Sequence, residues 1–209
     1  IEWAGVDPEN GDPLWYKDEV DANKNPTGKR VTTNDYDSAD YYYINKSSLP
    51  KVYGGFNTSL SWKGFDLSAI FAYSIGGYIY NRDITMILHN GSLEGRDWST
   101  EILKRWTPDN RYTDVPALST TSNDWNSAST RFLQNNSYMR LKNLTLSYNL
   151  PKQWISKLSL SSVQVYVQGD NLFTIHRNQG LDPEQGITGI TYYRYPAMRT
   201  ISGGINVSF

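Results

Sequence analysis

The chain carries two kinds of stretch: those in which apolar and polar side chains alternate strictly, and those in which the alternation is lost. Ile201, Gly203, Ile205, Val207 and Phe209 share one parity, and Ser202, Gly204, Asn206 and Ser208 the other. Strand side chains change face at every residue, so this is a strand with one apolar and one small polar face. Phe56, Thr58, Leu60 and Trp62 repeat the pattern. After Lys63-Gly64 it resumes in Phe65, Leu67, Ala69, Phe71, Tyr73 and Ile75. A two-residue turn sets its flanking residues opposite each other on one face. The spacing therefore predicts a hairpin with Trp62 beside Phe65 and the two apolar stripes in register. Leu144, Leu146, Tyr148 and Leu150 form another stripe. Met139 and Leu141 stand on the wrong parity, which predicts a bulge near Lys142 or a change of environment there. Val163, Val165 and Val167 then alternate with Gln164, Tyr166 and Gln168.

Between these stripes the period disappears. Residues 1–50 are punctuated by turn formers such as Asp7-Pro8, Asn10-Gly11, Asp12-Pro13 and Asn25-Pro26. Tyr41-Tyr42-Tyr43 reads as a short strand or an interfacial cluster. Asp21 to Asn25 starts like a calcium loop, but Pro26 stands where that loop needs glycine and Thr32 where it needs a bidentate glutamate. A plain turn is the better reading. Residues 81–137 regain charge, and Asp97 to Trp106 predicts a short helix, capped by Asp97 and stopped by Pro108. Pro151 to Leu158 predicts one helical turn in a connection, and residues 174–194 a second irregular loop. Tyr195 leads into the terminal strand. Connections thus alternate between short and long, the habit of outer-membrane barrels.

Charge sharpens that picture. Across 52–62, 65–80, 143–150, 163–169 and 200–209 the only charged residue is Asp66, although charged residues make up 20% of the chain. A soluble antiparallel sheet places Lys, Glu and Arg on its wet face; here that face is Ser, Asn, Thr, Gln and Gly. A Lys or Arg facing lipid at the midplane costs about 2–4 kcal/mol. The aromatics gather at strand ends, with Trp62, Phe65, Tyr148, Trp154 and Phe209 at one end and Tyr78, Tyr80, Phe173 and Tyr195 at the other, as in two interfacial girdles. No run approaches the ~18 apolar residues of a membrane helix, which leaves a barrel open. A net charge of −1 argues against a nucleic-acid partner. The absence of cysteine excludes disulfides, thiol catalysis and Cys-ligated zinc. The chain opens on Ile1, as a mature form or a piece of something larger would.

Several segments, in order, resemble one family. They are Pro50-Lys51-Val52-Tyr53-Gly54-Gly55-Phe56, Trp62-Lys63-Gly64-Phe65-Asp66-Leu67, Tyr73-Ser74-Ile75-Gly76-Gly77, Arg105-Trp106-Thr107-Pro108, Tyr138-Met139-Arg140-Leu141-Lys142-Asn143-Leu144, Gly169-Asp170-Asn171-Leu172-Phe173-Thr174, Gly180-Leu181-Asp182-Pro183-Glu184, and Tyr195-Pro196 through Phe209. Together they resemble the C-terminal part of SusC/RagA-type TonB-dependent outer-membrane transporters. The resemblance implies an all-β antiparallel transmembrane barrel segment, the last five strands of a barrel of about 22, with the plug outside this chain. It implies extracellular loops at 1–50, 81–137 and 174–194, a hairpin at 51–80 and a strand pair with a periplasmic connection at 138–173. The terminal strand is at 195–209, its other edge left for a first strand that this chain lacks. It implies location in the outer membrane of a Gram-negative, Bacteroidota-like bacterium, and import of oligosaccharides, or of peptides as in the RagA branch. The implied partners are a SusD-like surface lipoprotein, the TonB complex and the barrel-assembly machinery, which would read Phe209 as its signal. A passive porin and a soluble β-sandwich lectin are the rival readings.

The candidate contacts follow. Trp98 and Trp125 lie in the long loop, where indole faces could stack on sugars or pack the loop; Trp106 reads as structural. Asp182 and Glu184 belong to a local repeat, Gly5-Val6-Asp7-Pro8-Glu9-Asn10-Gly11 against Gly180-Leu181-Asp182-Pro183-Glu184-Gln185-Gly186, read either as paired turns near the lipoprotein or as an ordinary turn. Gln164, Tyr166, Gln168 and Asn206 have lumen parity, suited to lining a solute path or bonding the plug. His89 and His176 lie in different loops with no ligand-spaced partner, so no metal or cofactor is expected, and no grouping of side chains supports catalysis.

Overall fold

A computed structural model describes residues 1–91, 95–119, 124–156, 159–180, 182–184, 186–191 and 193–209. Its strands are β1 (Trp3–Val6), β2 (Pro13–Val20), β3 (Pro26–Thr33), β4 (Val52–Trp62), β5 (Phe65–Ile75), β6 (Tyr78–Tyr80), β7 (Leu133–Asn135), β8 (Tyr138–Asn149), β9 (Ser162–His176) and β10 (Thr200–Ser208). Two short helices, α1 (Arg82–Ile87) and α2 (Lys152–Ile155), and a few 3-10 turns complete it. Contacts divide the chain into two units, one of residues 1–46, 79–134 and 190–193, the other of 47–78, 135–189 and 194–209.

The second unit is an antiparallel sheet of order β10-β9-β8-β5-β4. Its hairpin turns at Lys63 and Gly64, both at positive φ, and pairs Trp62 with Phe65. From there apolar residues meet across the strands in rows. Leu60 pairs with Leu67, Leu67 with Leu146, Leu146 with Val167, and Val167 with Gly203. This face has nothing packed over it among the described residues, and its side chains are largely exposed. The bulge falls at Lys142. Ile70 pairs with Asn143 and Phe71 with Leu141, so Lys142 has no partner across β5. That extra residue brings Leu141 back onto the apolar face, which explains the broken parity of the sequence. On β9, Asn171 and Leu172 fall outside the ladder with β8 opposite the same point, and Asn171 takes φ +52°.

The first unit is built around a small core of Leu88, Ile102, Val115, Trp125 and Phe132, with Tyr80 and Ile84 against it. Arg131 reaches into this unit. Its guanidinium donates to the carbonyls of Trp125 (2.8 Å) and Asp114 (2.9 Å) and lies 4.8 Å from the Trp3 ring. Burial lowers its pKa to about 10, with the Asp114 charge opposing the shift.

Five elements differ from the sequence reading. Residues 1–50, expected as a turn-rich connection, contain the meander β1-β2-β3. Its strands carry charges on their open face and are anchored mainly by buried Trp15, edge-on to Trp3 and Tyr36, so they lack an uninterrupted stripe. Tyr41-Tyr42-Tyr43 forms no strand. The expected helix at Asp97–Trp106 is a 3-10 segment, Thr100–Lys104, capped by Ser99 rather than Asp97. Helix α1, which the sequence reading missed, is capped by Asn81, whose side chain accepts from the Ile84 N–H (3.1 Å). The terminal strand begins at Thr200 rather than Tyr195: Pro196 has no N–H to give a ladder, the Ala197 N–H goes to Asp182 and the Met198 carbonyl to the Asn171 side chain.

Candidate functional site

The polar face of the sheet is wired from edge to edge. Ser61 of β4 donates to Asp66 of β5 (2.5 Å), and Asn149 of β8 donates to the other oxygen of Asp66 (2.6 Å). Gln164 of β9 donates to Asn149 (3.2 Å), and Asn206 of β10 donates to Gln164 (3.2 Å). One side chain per strand thus joins a belt centred on a single carboxylate. A shorter group surrounds Asp170, which accepts from Asn143 (2.8 Å) and Gln168 (3.2 Å), while Thr145 donates to Asn143 (2.9 Å). Tyr166 lies flat over Gly204, where an added Cβ would come within 2.6 Å of the phenol oxygen. Gln164, Tyr166, Gln168 and Asn206 therefore share one face, as their parity predicts; Gln164 and Asn206 spend their amides on each other and on β8, and Gln168 bonds Asp170 on its own strand.

Above the bulge, charge concentrates. Arg140 is 4% exposed and makes three side-chain bonds: to Thr174 (2.8 Å), to Glu184 (2.7 Å) and to Asp182 (2.5 Å). Lys142 adds a second cation to Glu184 (2.7 Å). Asp182 also accepts the backbone N–H of Ala197 (2.6 Å) and of Glu184 (2.9 Å). Asp182 and Glu184 were candidates for contact with substrate or partner. The structure instead uses Asp182 wholly, and Glu184 largely, to tie the 177–199 segment to β8. The repeat has a local cause: Asp7 likewise accepts the N–H of Glu9 (2.9 Å), so both Asp-Pro-Glu segments are aspartate-capped turns. Leu181 and Gln185 of the second copy lie outside the described residues.

Burial pushes the Asp182 carboxyl up, but the Arg140 guanidinium and the Ala197 and Glu184 amides outweigh it and hold its pKa below the ordinary value. A folded-state pKa below the unfolded one gives stability that is full above the ordinary carboxylate range and is lost as pH falls through the lowered value. Exchange of the Ala197 amide is therefore expected to stay slow from neutral pH down to about pH 4 and to speed up only below it. Acceleration already between pH 7 and 5 would show that Asp182 does not hold this strap.

The long-loop aromatics separate. Trp125 is 1% exposed, and its Nε1 donates to the Ala117 carbonyl (3.0 Å). It belongs to the core and offers no face to a ligand, which corrects the expectation of a contact there. Trp106 is also structural, its Nε1 on the Pro8 carbonyl (3.1 Å) and its ring against Gly11, a residue at φ +81° with no room for a Cβ. Trp98 keeps 46% of its surface exposed while its Nε1 donates to Nδ1 of buried His89 (3.2 Å). The same Nδ1 accepts from the Gly91 N–H (3.1 Å), so the proton sits on Nε2, and burial together with Arg96 lowers the His89 pKa. His176 donates from Nδ1 to the Asn178 carbonyl (2.9 Å). Asp21 accepts the N–H groups of Asn23 (2.8 Å) and Asn25 (2.9 Å), a turn cap. Among the described residues no group of three His, Asp or Glu stands where it could hold a metal.

Comparison with known proteins places this architecture. No family model matches the chain. TonB-dependent receptor P3 of Formosa agariphila is 34% identical over 166 residues, 74% of this chain and 16% of the relative. TonB-dependent receptor SusC of Bacteroides thetaiotaomicron is 29% identical over 202 residues, 96% of this chain and 18% of the relative. Among solved structures, the RagAB peptide transporter matches with a TM-score of 0.82 and 36% identity, covering 100% of this chain and 22% of that one. The RagAB peptide importer in its open-open state gives 0.81 and 35%. Its strands, few helices and antiparallel sheet are those of a TonB-dependent transporter barrel. The chain belongs to the SusC/RagA type of TonB-dependent receptor, and it spans about a fifth or less of the length of the relatives it matches.

Proposed function

We propose that this chain is a wall segment of an outer-membrane importer energised through TonB, and that the importer takes up oligopeptides. The observation that carries the membrane reading is the sheet itself. One face is exposed and apolar in rows, and the other is polar and hydrogen-bonded, its charges Asp66, Asp170 and Arg140 each held by neighbouring side chains. In the whole protein that apolar face meets lipid, the belt face meets the lumen, and the sheet continues into a closed barrel of about 22 strands. Residues 1–50, 81–137 and 174–194 face the outside, where a SusD- or RagB-like lipoprotein caps the entrance. Likeness over the full chain to the RagAB peptide transporter, at 36% identity and a TM-score of 0.82, supports the peptide substrate. Oligosaccharide is the second reading, favoured by Trp98, an exposed indole held in place by His89.

Uptake by a strain that carries or lacks the full-length gene decides among these. Labelled oligopeptide, and not oligosaccharide, is expected to enter, and entry is expected to stop when TonB is removed. Entry of oligosaccharide alone would transfer the reading to glycans, and entry that persists without TonB would leave a porin.

A further inference from the structure

Strand β9 outruns its neighbour. The β9–β10 ladder ends at the pair Asp170–Thr200, whereas β9 continues to His176. Past the bulge at Asn171 and Leu172, from Phe173 to His176, the strand is paired with β8 on one side only among the described residues. Beside that open edge lies a notch of ≈ 530 Å³, whose opposite wall is the 196–199 segment. The wall is tethered at two points: Ala197 to Asp182 (2.6 Å), and, at the bulge end of the notch, the Met198 carbonyl to the Asn171 side chain (3.1 Å).

The charges of the notch are unequal. Arg140, on its floor, is already matched by Asp182 and Glu184. Arg199, on its rim, is exposed and has no ion-pair partner among the described residues. Phe173, Pro183 and Pro196 supply apolar surface. His176, its Nδ1 proton given to Asn178, is left with Nε2 as a free acceptor. The volume lies within the range of small-ligand sites. Four edge residues offer about 13 Å of strand at ~3.3 Å each.

We propose that this notch binds an extended oligopeptide segment, added as a strand along Phe173–His176, with a carboxylate of the peptide on Arg199. An open edge supplies backbone donors and acceptors independent of sequence, the mode by which peptides augment sheets. A sugar chain has no such ladder to offer, and a neutral peptide end leaves Arg199 unmatched. The proposal rests on the peptide-import reading and deepens it.

The test uses the full-length transporter with its lipoprotein in detergent, and a six-residue peptide of alternating Thr and Val. Titration calorimetry is expected to find that amidating the peptide's carboxylate weakens binding about tenfold to hundredfold. Arg199→Gln is expected to weaken the free acid equally and to leave the amide unchanged. N-methylation at alternate residues, which removes strand donors, is expected to abolish binding. Arg199 makes no hydrogen bond or ion pair among the described residues, and heat-modifiable migration of the variant reports whether it remains folded. If the free acid binds wild type and Arg199→Gln equally, or the methylated peptide binds as well as its parent, the notch is not the site, while peptide import stands. If no peptide binds and only oligosaccharide does, both readings fall.

Discussion

Replacing Arg140 with methionine is expected to cost about 3–5 kcal/mol, the penalty for leaving a buried charge without its partner. Asp182 is the charge left behind, with its side chain 6% exposed. Truncation also removes the fork that holds Glu184 and Thr174. Arg140→Lys is expected to recover only part of the loss, because an ammonium cannot reach three acceptors in the plane of a guanidinium. The Lys142–Glu184 pair is about a third exposed on each side and contributes on the order of 0–1 kcal/mol. In the full-length transporter the effect is read as a lower temperature for loss of the heat-resistant gel form and as protease cutting within 177–199. Adding Asp182→Asn to Arg140→Met is expected to restore part of the stability, since it removes the stranded charge. A double variant as unstable as the sum of the singles would mean that the two side chains are not coupled.

Leu146→Arg is expected to be the most damaging single change on the apolar face. Leu146 sits mid-row between Leu67 and Val167 and is 42% exposed. In water, an arginine there would be nearly neutral. In a bilayer it costs about 2–4 kcal/mol at the midplane, falling to about 0–1 near the interface. Trp62→Arg, at the turn end of the hairpin, is therefore the milder partner variant. The measurement is the fraction of full-length protein reaching the outer membrane in heat-modifiable form. Equal yields for Leu146→Arg and wild type would contradict a lipid-facing surface.

The sheet was legible in the sequence because its determinants are local. Alternation fixes the faces, and the Lys63-Gly64 turn fixes the Trp62–Phe65 register. Even the parity fault at Met139 and Leu141 points to the bulge at Lys142. What stayed hidden depends on partners remote in the chain. Arg140 meets Asp182 across 42 positions, and nothing near either residue announces the other. Trp125 reads as a loop aromatic until Leu88, Ile102 and Phe132 are seen around it. The β1–β3 meander escapes because charges and turn formers break its stripes. Helix α1 is six residues long, too short for its period to show. Polarity and aromaticity thus marked where loops lie, but not which of their side chains are spent internally.

The belt from Ser61 to Asn206 bears on how a cargo travels. In the proposed barrel these groups line the passage, and each donor on the belt already has an acceptor on the adjacent strand. A solute sliding past finds few open hands to grasp it, and the energy profile along that stretch of wall is shallow. Such a surface behaves as a low-friction chute, so the choice of cargo falls to the entrance.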